Sequence, residues 1–391
     1  MTDYVIIGNG IAGTTAAENI RKNDKEGPIT MVTEEDLPFY YRVRLNEYIS
    51  GDVSEQDLIA KKDKWYSEQN IELKTGTRIT GADSTEKNII TEDNKKLSYD
   101  RLLVATGSHS FIPPIKGSEK KGVFAIRSMQ DARNISDWVK DIEDVVLIGG
   151  GLLGLEAGNA LTKLGKKVMV VEFFPRLLPR QLDQDGAKRL QGIMEGMGFS
   201  FRLGAKTEEI TGDDLLKGVQ LEGGEQLSAE MVIISAGVRP NLEMAEVLGL
   251  DQDKGIVVDE HLKTNKLDIY AAGDVAAFKG MPYGIWPAAM EQGEIAGINM
   301  AGGDRTYEGS TLSTTLKVVG IDLASAGNID AENELESRVF TNEQVYKKIV
   351  LENEKIIGCI MLGNTKGFNK IKKMMSEEQD VSQEKDQILS Q

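Results

Sequence analysis

Two runs of glycine could do chemistry in this chain: Gly8-Asn9-Gly10-Ile11-Ala12-Gly13 and Gly149-Gly150-Gly151-Leu152-Leu153-Gly154. Each follows four apolar residues with strand character, Tyr4-Val5-Ile6-Ile7 and Val145-Val146-Leu147-Ile148. Each also opens a segment of helical texture, reaching to about Arg21 in the first case and Leu164 in the second. A lone Gly-x-Gly-x-x-Gly is a weak signal, because glycine turns are common. A strand before it and a helix after it give it a mechanical meaning. The first glycine (Gly8, Gly149) permits a tight exit from the strand, and the second (Gly10, Gly151) lets backbone N–H groups approach a diphosphate. The third (Gly13, Gly154) lets the helix pack closely on the sheet, and the helix N-terminus adds partial positive charge.

An acid after the next strand completes the pattern by accepting hydrogen bonds from an adenosine ribose. The following β-rich runs, Ile29-Thr30-Met31-Val32 and Lys167-Val168-Met169-Val170-Val171, end on Glu34-Glu35 and on Glu172. Glu34 lies 26 residues beyond Gly8 and Glu172 lies 23 beyond Gly149, near the separation of about 20 that the fingerprint requires. Either acid alone could be a solvated strand end; two complete fingerprints imply two dinucleotide sites. Glu172 also bears on which nicotinamide is used. At an effective dielectric of ~20 and ~5 Å, two like unit charges repel by about 3 kcal/mol. A 2′-phosphate facing Glu172 is therefore disfavoured and NADH preferred over NADPH, with Arg176 as a cation that could compensate.

Little else in the composition can carry a reaction. The single cysteine, Cys359, excludes a disulfide framework, a four-thiolate iron–sulfur cluster and a cysteine-based zinc site. Two histidines, His109 and His261, are too few for a His-rich metal centre, so no metal is expected. The chemistry must come from bound organic cofactors. A net charge of −16 argues against nucleic-acid binding and against attachment to an anionic membrane. No apolar stretch of about 18 residues is present, no basic leader precedes Tyr4, and one cysteine suits a reducing compartment. A cytoplasmic protein is expected.

The elements that must position these residues form two strand–helix–strand units, hence an α/β protein with two parallel, helix-covered sheets. Further strands ending in small residues are Leu102-Leu103-Val104-Ala105-Thr106-Gly107, Met231 through Ala236-Gly237, and Asp268-Ile269-Tyr270-Ala271-Ala272-Gly273-Asp274. From Thr311 the texture becomes short strands and loops, a smaller α+β domain over 311–375. Residues 376–391 are polar without an apolar period and read as a frayed tail.

Assembled, these signposts, with Ala236-Gly237-Val238-Arg239-Pro240-Asn241 and Thr264 through Ala276, resemble the pyridine nucleotide–disulfide oxidoreductase superfamily of two-dinucleotide-binding flavoproteins. The resemblance runs from Thr2 to about residue 310 and weakly beyond. It implies a glutathione-reductase-like fold of two Rossmann-like domains. FAD would bind a discontinuous domain, 1–113 and 241–310, and NAD(H) the domain 114–240. The implied FAD contacts are Gly8, Gly10, Ile11, Ala12, Gly13, Glu34, Glu35, Arg42, Ala105, Thr106, Gly107, Gly273 and Asp274, the last touching the ribityl chain. The implied NAD contacts are Gly149, Gly151, Leu152, Leu153, Gly154, Glu156, Glu172 and Gly237.

Within the superfamily, Pro38 through Glu47 and Glu291 through Gly297 are similar to NADH:rubredoxin reductases and to the flavin module of nitrite reductases. More distant likenesses are to ferredoxin reductases and apoptosis-inducing factor. Val43 departs from a proline frequent in those enzymes, and Glu47 from a lysine. No cysteine stands between Leu37 and Gly51, where disulfide- or sulfenate-using members carry theirs. Cys359 sits in an apolar run and reads as buried and inert. The resemblance therefore implies hydride transfer from NADH to tightly bound FAD, then single-electron delivery to a rubredoxin- or ferredoxin-type carrier. The alternatives are a nitrite-reductase flavin module working with a separate partner chain, or a flavin-bound redox-sensing protein. The oligomeric state is left open.

Weaker candidates keep two readings each. Glu156 lies near the nicotinamide by resemblance, or is a first-turn acid favoured by the helix dipole. Tyr283, Trp286 and Pro287 shield the flavin or pack a core, and His109 reads as a loop residue. Lys366, Lys370, Lys372 and Lys373 form a solvated helix face, or a docking patch for acidic carriers that a −16 chain would otherwise repel.

Overall fold

The computed structural model describes residues 1–310 and 313–390. Thr311, where the third domain is expected to begin, and Gln391, the end of the expected tail, lie outside the described residues. The first glycine run sits on a five-stranded sheet in the order Ile269–Ala271, Arg101–Val104, Tyr4–Ile7, Ile29–Val32, Ile71–Lys74. Every pairing in it is parallel. All four side chains of Tyr4–Ile7 are buried, as a strand covered on both faces requires. The helix Ile11–Asn23 leaves the glycine turn, and the helix Trp286–Met300 packs along it. That contact explains part of the Glu291–Gly297 segment: a Cβ at Gly293 or Gly297 would overlap the carbonyl oxygens of Ala12 and Ala16.

The second run sits on an equivalent parallel sheet, ordered Phe199–Leu203, Lys167–Glu172, Asp144–Ile148, Met231–Ile234, Val123–Phe124. Each unit also carries a three-stranded antiparallel meander, over Ile79–Ser98 in the first and Thr207–Ser228 in the second. A two-stranded ribbon of Ser108–Ser110 with Val238–Pro240 spans the crossing points between the units. The expected α/β architecture with two Rossmann-like units is what forms, and the first unit is discontinuous because its edge strand, Ile269–Ala271, follows the second unit in sequence. No helix among the described residues is long and apolar enough to cross a membrane.

The third unit is an antiparallel sheet ordered Ser313–Val318, Ile321–Gly327, Lys355–Leu362, Tyr346–Glu352, Glu336–Thr341, with the helix Phe368–Ser376 against it. The frayed tail is a misreading. Val381, Ile388 and Leu389 are buried in the same core as Phe368 and Ile371, and Val381 N–H donates to the Glu354 carbonyl at 2.9 Å. Arg338–Asp386 and Lys385–Glu354 ion pairs hold the segment down. Three apolar side chains suffice because strand residues already present a surface to receive them, and so sparse a pattern has no period to detect.

This unit is fastened to the second one by a buried charge. Lys348 and Asp183 are both 0% exposed and 3.1 Å apart. Asp183 Oδ2 also accepts from Tyr346 at 2.6 Å, while its Oδ1 caps the helix Gln184–Gly196 through Gly186 N–H. Lys348 Nζ donates further to the Asp330 carbonyl and Asn333 Oδ1. Removing one partner strands the other charge, so Lys348→Met is expected to lower unfolding free energy by about 3–5 kcal/mol in urea titration. Lys348→Met with Asp183→Asn should recover much of that loss; equal stability of the single and double variants would contradict the coupling.

Candidate functional site

The two glycine turns are built alike. Gly8 has φ +111° and Gly149 φ +116°, a region L side chains rarely adopt. A Cβ at Gly8 would overlap the Ala105 carbonyl, and one at Gly149 the Ser235 carbonyl. A Cβ at Gly13 or Gly154 would strike the carbonyl oxygen of Gly8 or Gly149 in turn. Gly10 and Gly151 differ: nothing lies within 4 Å of where their Cβ would be. The protein thus leaves open the two positions where a diphosphate would approach the backbone.

A cavity of about 880 Å³ opens above the first turn, walled by both units. It is lined by Gly8, Gly10, Ile11, Ala12, Glu34, Glu35, Arg42, Ala105, Thr106, Gly107, Gly273 and Asp274, every FAD candidate except Gly13, which is spent on helix packing. Of the NAD candidates only Leu152 and Leu153 reach it, from the second helix's first turn. Gly149, Gly151, Gly154, Glu156, Glu172 and Gly237 lie outside that lining. Two polar atoms of lining residues, Asn9 Nδ2 and Asn46 Oδ1, are buried without a partner, which is costly unless a ligand group meets them. Volume, open cradle and orphaned groups fit a dinucleotide.

The acid pair divides its work. Glu34 is exposed on the cavity wall, whereas Glu35 turns inward to Arg42 at 2.5 Å and accepts from the Tyr40 hydroxyl at 2.6 Å. Burial pushes the Tyr40 phenol well above its ordinary range, so it stays a donor to Glu35 while accepting from Met129 N–H. Arg127 is a residue that sequence reasoning missed. Its guanidinium donates to Asp274 Oδ2 and Ser108 Oγ, each at 2.7 Å, and to the Ser108 carbonyl. Ser108 Oγ donates to the same Oδ2, which leaves Asp274 Oδ1 for a ligand hydroxyl. Arg127 directly precedes a capping box, Ser128 with Asp131, that starts the helix Met129–Trp138 at the cavity edge. That box was legible, but it does not say which way the preceding side chain points.

His109 is not in a loop. It lies on the strand Ser108–Ser110, lines the cavity and meets Asn241 Oδ1 at 2.7 Å, while Asn241 Nδ2 donates to the Thr106 carbonyl. Trp286 lines the cavity beside Phe39 and Tyr41; Tyr283 instead packs edge-on to Tyr307, and Pro287 starts a helix. In the second unit Glu172 is buried, its carboxylate accepting from Gly150 N–H at 2.5 Å and Phe174 N–H at 2.8 Å. A carboxylate offers about four acceptor sites, so two remain for a ribose. Arg176 pairs with Glu332 at 3.0 Å. Glu47 pairs with Arg44, and none of Lys366, Lys370, Lys372 or Lys373 lines the cavity. Those lysines are interleaved with acids, Lys373 with Glu377 and Lys370 with Glu384.

Paired parallel units, each with its own glycine cradle and meander and sharing one cavity, define a two-nucleotide redox protein. The pyridine nucleotide-disulphide oxidoreductase family matches residues 2–293, and the chain belongs to it; the rubredoxin NAD+ reductase C-terminal domain matches 313–379. Over 391 residues the chain is 34% identical to an NADH-rubredoxin oxidoreductase of Clostridium acetobutylicum, covering 100% of this chain and 97% of that protein. It is 37% identical over 383 residues to a nitrite reductase [NAD(P)H] of Bacillus subtilis, covering 97% of this chain but 48% of the relative. The chain thus spans about half the length of the nitrite reductases it matches. The solved NADH:rubredoxin oxidoreductase from Clostridium acetobutylicum superposes with TM-score 0.83 at 31% identity, over 97% of this chain and 96% of that one.

Glu156 is half-buried, accepts from Val319 N–H at 2.8 Å, and is raised above the ordinary glutamate value of 4.5, chiefly by burial. Its neutral form is the one the fold favours, so its contribution is full below 4.5 and is lost as pH rises through the raised value. Glu156→Gln, which keeps the acceptor, is expected to raise thermal stability at pH 8 and leave it unchanged at pH 4; a uniform shift would argue against titration. Cys359 is buried and its thiol is pushed up to about 12 by burial. A disulfide-exchange reagent should therefore fail to label the native protein at pH 7 and label one thiol per chain after unfolding.

Proposed function

We propose that this protein is an FAD-dependent reductase that takes a hydride from NADH and delivers electrons singly to a small redox carrier of rubredoxin type. The observation that carries this reading is a large cavity walled by both glycine units with no cysteine among its lining residues. The thiol, Cys359, is buried in the C-terminal sheet. Bound FAD supplies what the side chains lack, acceptance of two electrons and release of one at a time.

The chain's own groups do the holding. Backbone at Gly10 and the helix beginning at Ile11 face the FAD diphosphate, and Glu34 receives the adenosine ribose. Arg42, fixed by Glu35, and Asp274, fixed by Arg127 and Ser108, orient the remainder. Leu152 and Leu153 form the apolar wall where the second unit brings its nucleotide alongside, cradled at Gly149–Gly154. Glu172, pinned by two N–H groups, disfavours a 2′-phosphate, which supports NADH over NADPH. The domains assigned to these roles are 1–113 with 241–310 for FAD and 114–240 for NADH. The single cysteine fits a cytoplasmic setting.

A second reading is favoured by one finding: relatives named as nitrite reductase and as an assimilatory nitrate reductase electron transfer subunit align over 97% and 98% of this chain. In that case the electrons pass to a separate partner chain of a nitrite-reductase-like system. Anaerobic stopped-flow separates the two. The purified yellow protein should be bleached by NADH and recover its colour at a catalytic rate with rubredoxin. Fast recovery only with a nitrite-reductase component would favour the second reading. A colourless protein that stays so with added FAD would overturn both.

A further inference from the structure

We propose that Glu332, on the C-terminal domain, helps set the nucleotide preference of the second glycine unit by withholding Arg176 from a 2′-phosphate. This inference rests on the reading of that unit as an NADH site. The segment after Glu172 does not run off into solvent but folds back across the glycine turn. Leu178 N–H donates to the Gly150 carbonyl at 3.2 Å, and Leu177 is buried so close that a Cβ at Gly150 would meet it at 2.9 Å. Arg176 directly precedes Leu177, which shares the flank of Gly150 with Glu172. A guanidinium there is the natural counter-charge for a phosphate, because its planar donors match phosphate oxygens.

One of its donors is already held by an acid of the C-terminal domain. Arg176 Nη1 lies 3.0 Å from Glu332 Oε1. The second oxygen of Glu332 accepts from Gln184 Nε2 at 3.2 Å, so the carboxylate is steadied on the helix that begins at Gln184. The two partners are unequally placed: the Arg176 side chain is 16% exposed and Glu332 57%. The cation is lodged in the protein and its Nε is buried without a partner, while the acid comes from the loop between Ile321–Gly327 and Glu336–Thr341. Glu172 differs in kind, being fixed by backbone N–H groups of its own unit. Two acids thus act against a 2′-phosphate, one by direct repulsion and the other by competing for the compensating cation from a different domain.

The test compares binding of 2′,5′-ADP and 5′-ADP to the oxidised flavoprotein by equilibrium dialysis, in wild type, Glu332→Gln, and Glu332→Gln with Arg176→Gln. Freeing a partly exposed pair from competition corresponds to a change of roughly two- to fivefold. Glu332→Gln should raise the affinity ratio of 2′,5′-ADP to 5′-ADP by that factor, and Arg176→Gln should abolish the gain. The NADPH-to-NADH ratio of kcat/KM should move with it. An unchanged ratio in Glu332→Gln, or a gain that persists without Arg176, overturns the proposal while leaving the NADH reading intact. A wild-type protein that binds neither nucleotide and is not bleached by NADH overturns both.

Discussion

Backbone passing against backbone is the constraint on which everything else in this molecule depends. A parallel strand can hand over to a helix within a few residues only if the chain brushes the neighbouring strand's carbonyls, and a methyl group at Gly8 or Gly149 would collide with them. Once that approach is made, the helix N-terminus is aimed at the sheet's upper edge, and its unpaired N–H groups face whatever lies there. The same economy recurs where Gly293 and Gly297 let one helix ride on another at Ala12 and Ala16. Uncharged polar side chains are buried on those two helices, Thr14, Asn19, Gln292 and Asn299, and the charged groups Glu34, Arg42, Arg127 and Asp274 stand on the cavity wall.

The C-terminal domain is more than an appendage. Its apolar residues Leu323, Ile329, Ile360 and Leu362 share a core cluster with Leu177, Leu182 and Leu190 of the second unit, and three of its other contacts there stand well apart: Val319 on Glu156, Glu332 on Arg176, and the Lys348–Tyr346 pair on Asp183. All three are polar, and the last is wholly buried. Polar contacts fix a geometry more sharply than apolar ones, since a slid interface would leave charges without partners. The domain thereby fixes its position against the unit that carries the second glycine turn without contributing to those glycines.

Much of this was legible because the chemistry and the fold use the same residues. The glycine turns and the strand-end acids are local patterns with fixed spacing, and they announce themselves; the return of Gly273-Asp274 to the first sheet followed only from the family resemblance. What stayed hidden depends on long-range geometry. Arg127 lies outside any motif and acquires its role only when Ser108 and Asp274, from two other segments, are folded against it. Glu35 and Glu34 are adjacent and identical in kind, and nothing local says which turns to Arg42 and which to the cavity. The docking of Val381, Ile388 and Leu389 escaped because three apolar residues in a polar stretch carry no period. His109 was misplaced because its strand partner, Val238–Pro240, is over a hundred residues away.

The interrupted first sheet has a consequence for how the molecule is made. The strand Ile269–Ala271 pairs with Arg101–Val104, so a ribosome delivers the whole second sheet before the first receives its final member. Until then the nascent first unit carries an unpaired edge, a sticky flank that invites wrong pairing. Gly273 and Asp274 follow directly after that strand, so the cavity gains these lining residues only after the second sheet has been made. A chain cut before that strand thus holds two glycine turns but no finished pocket.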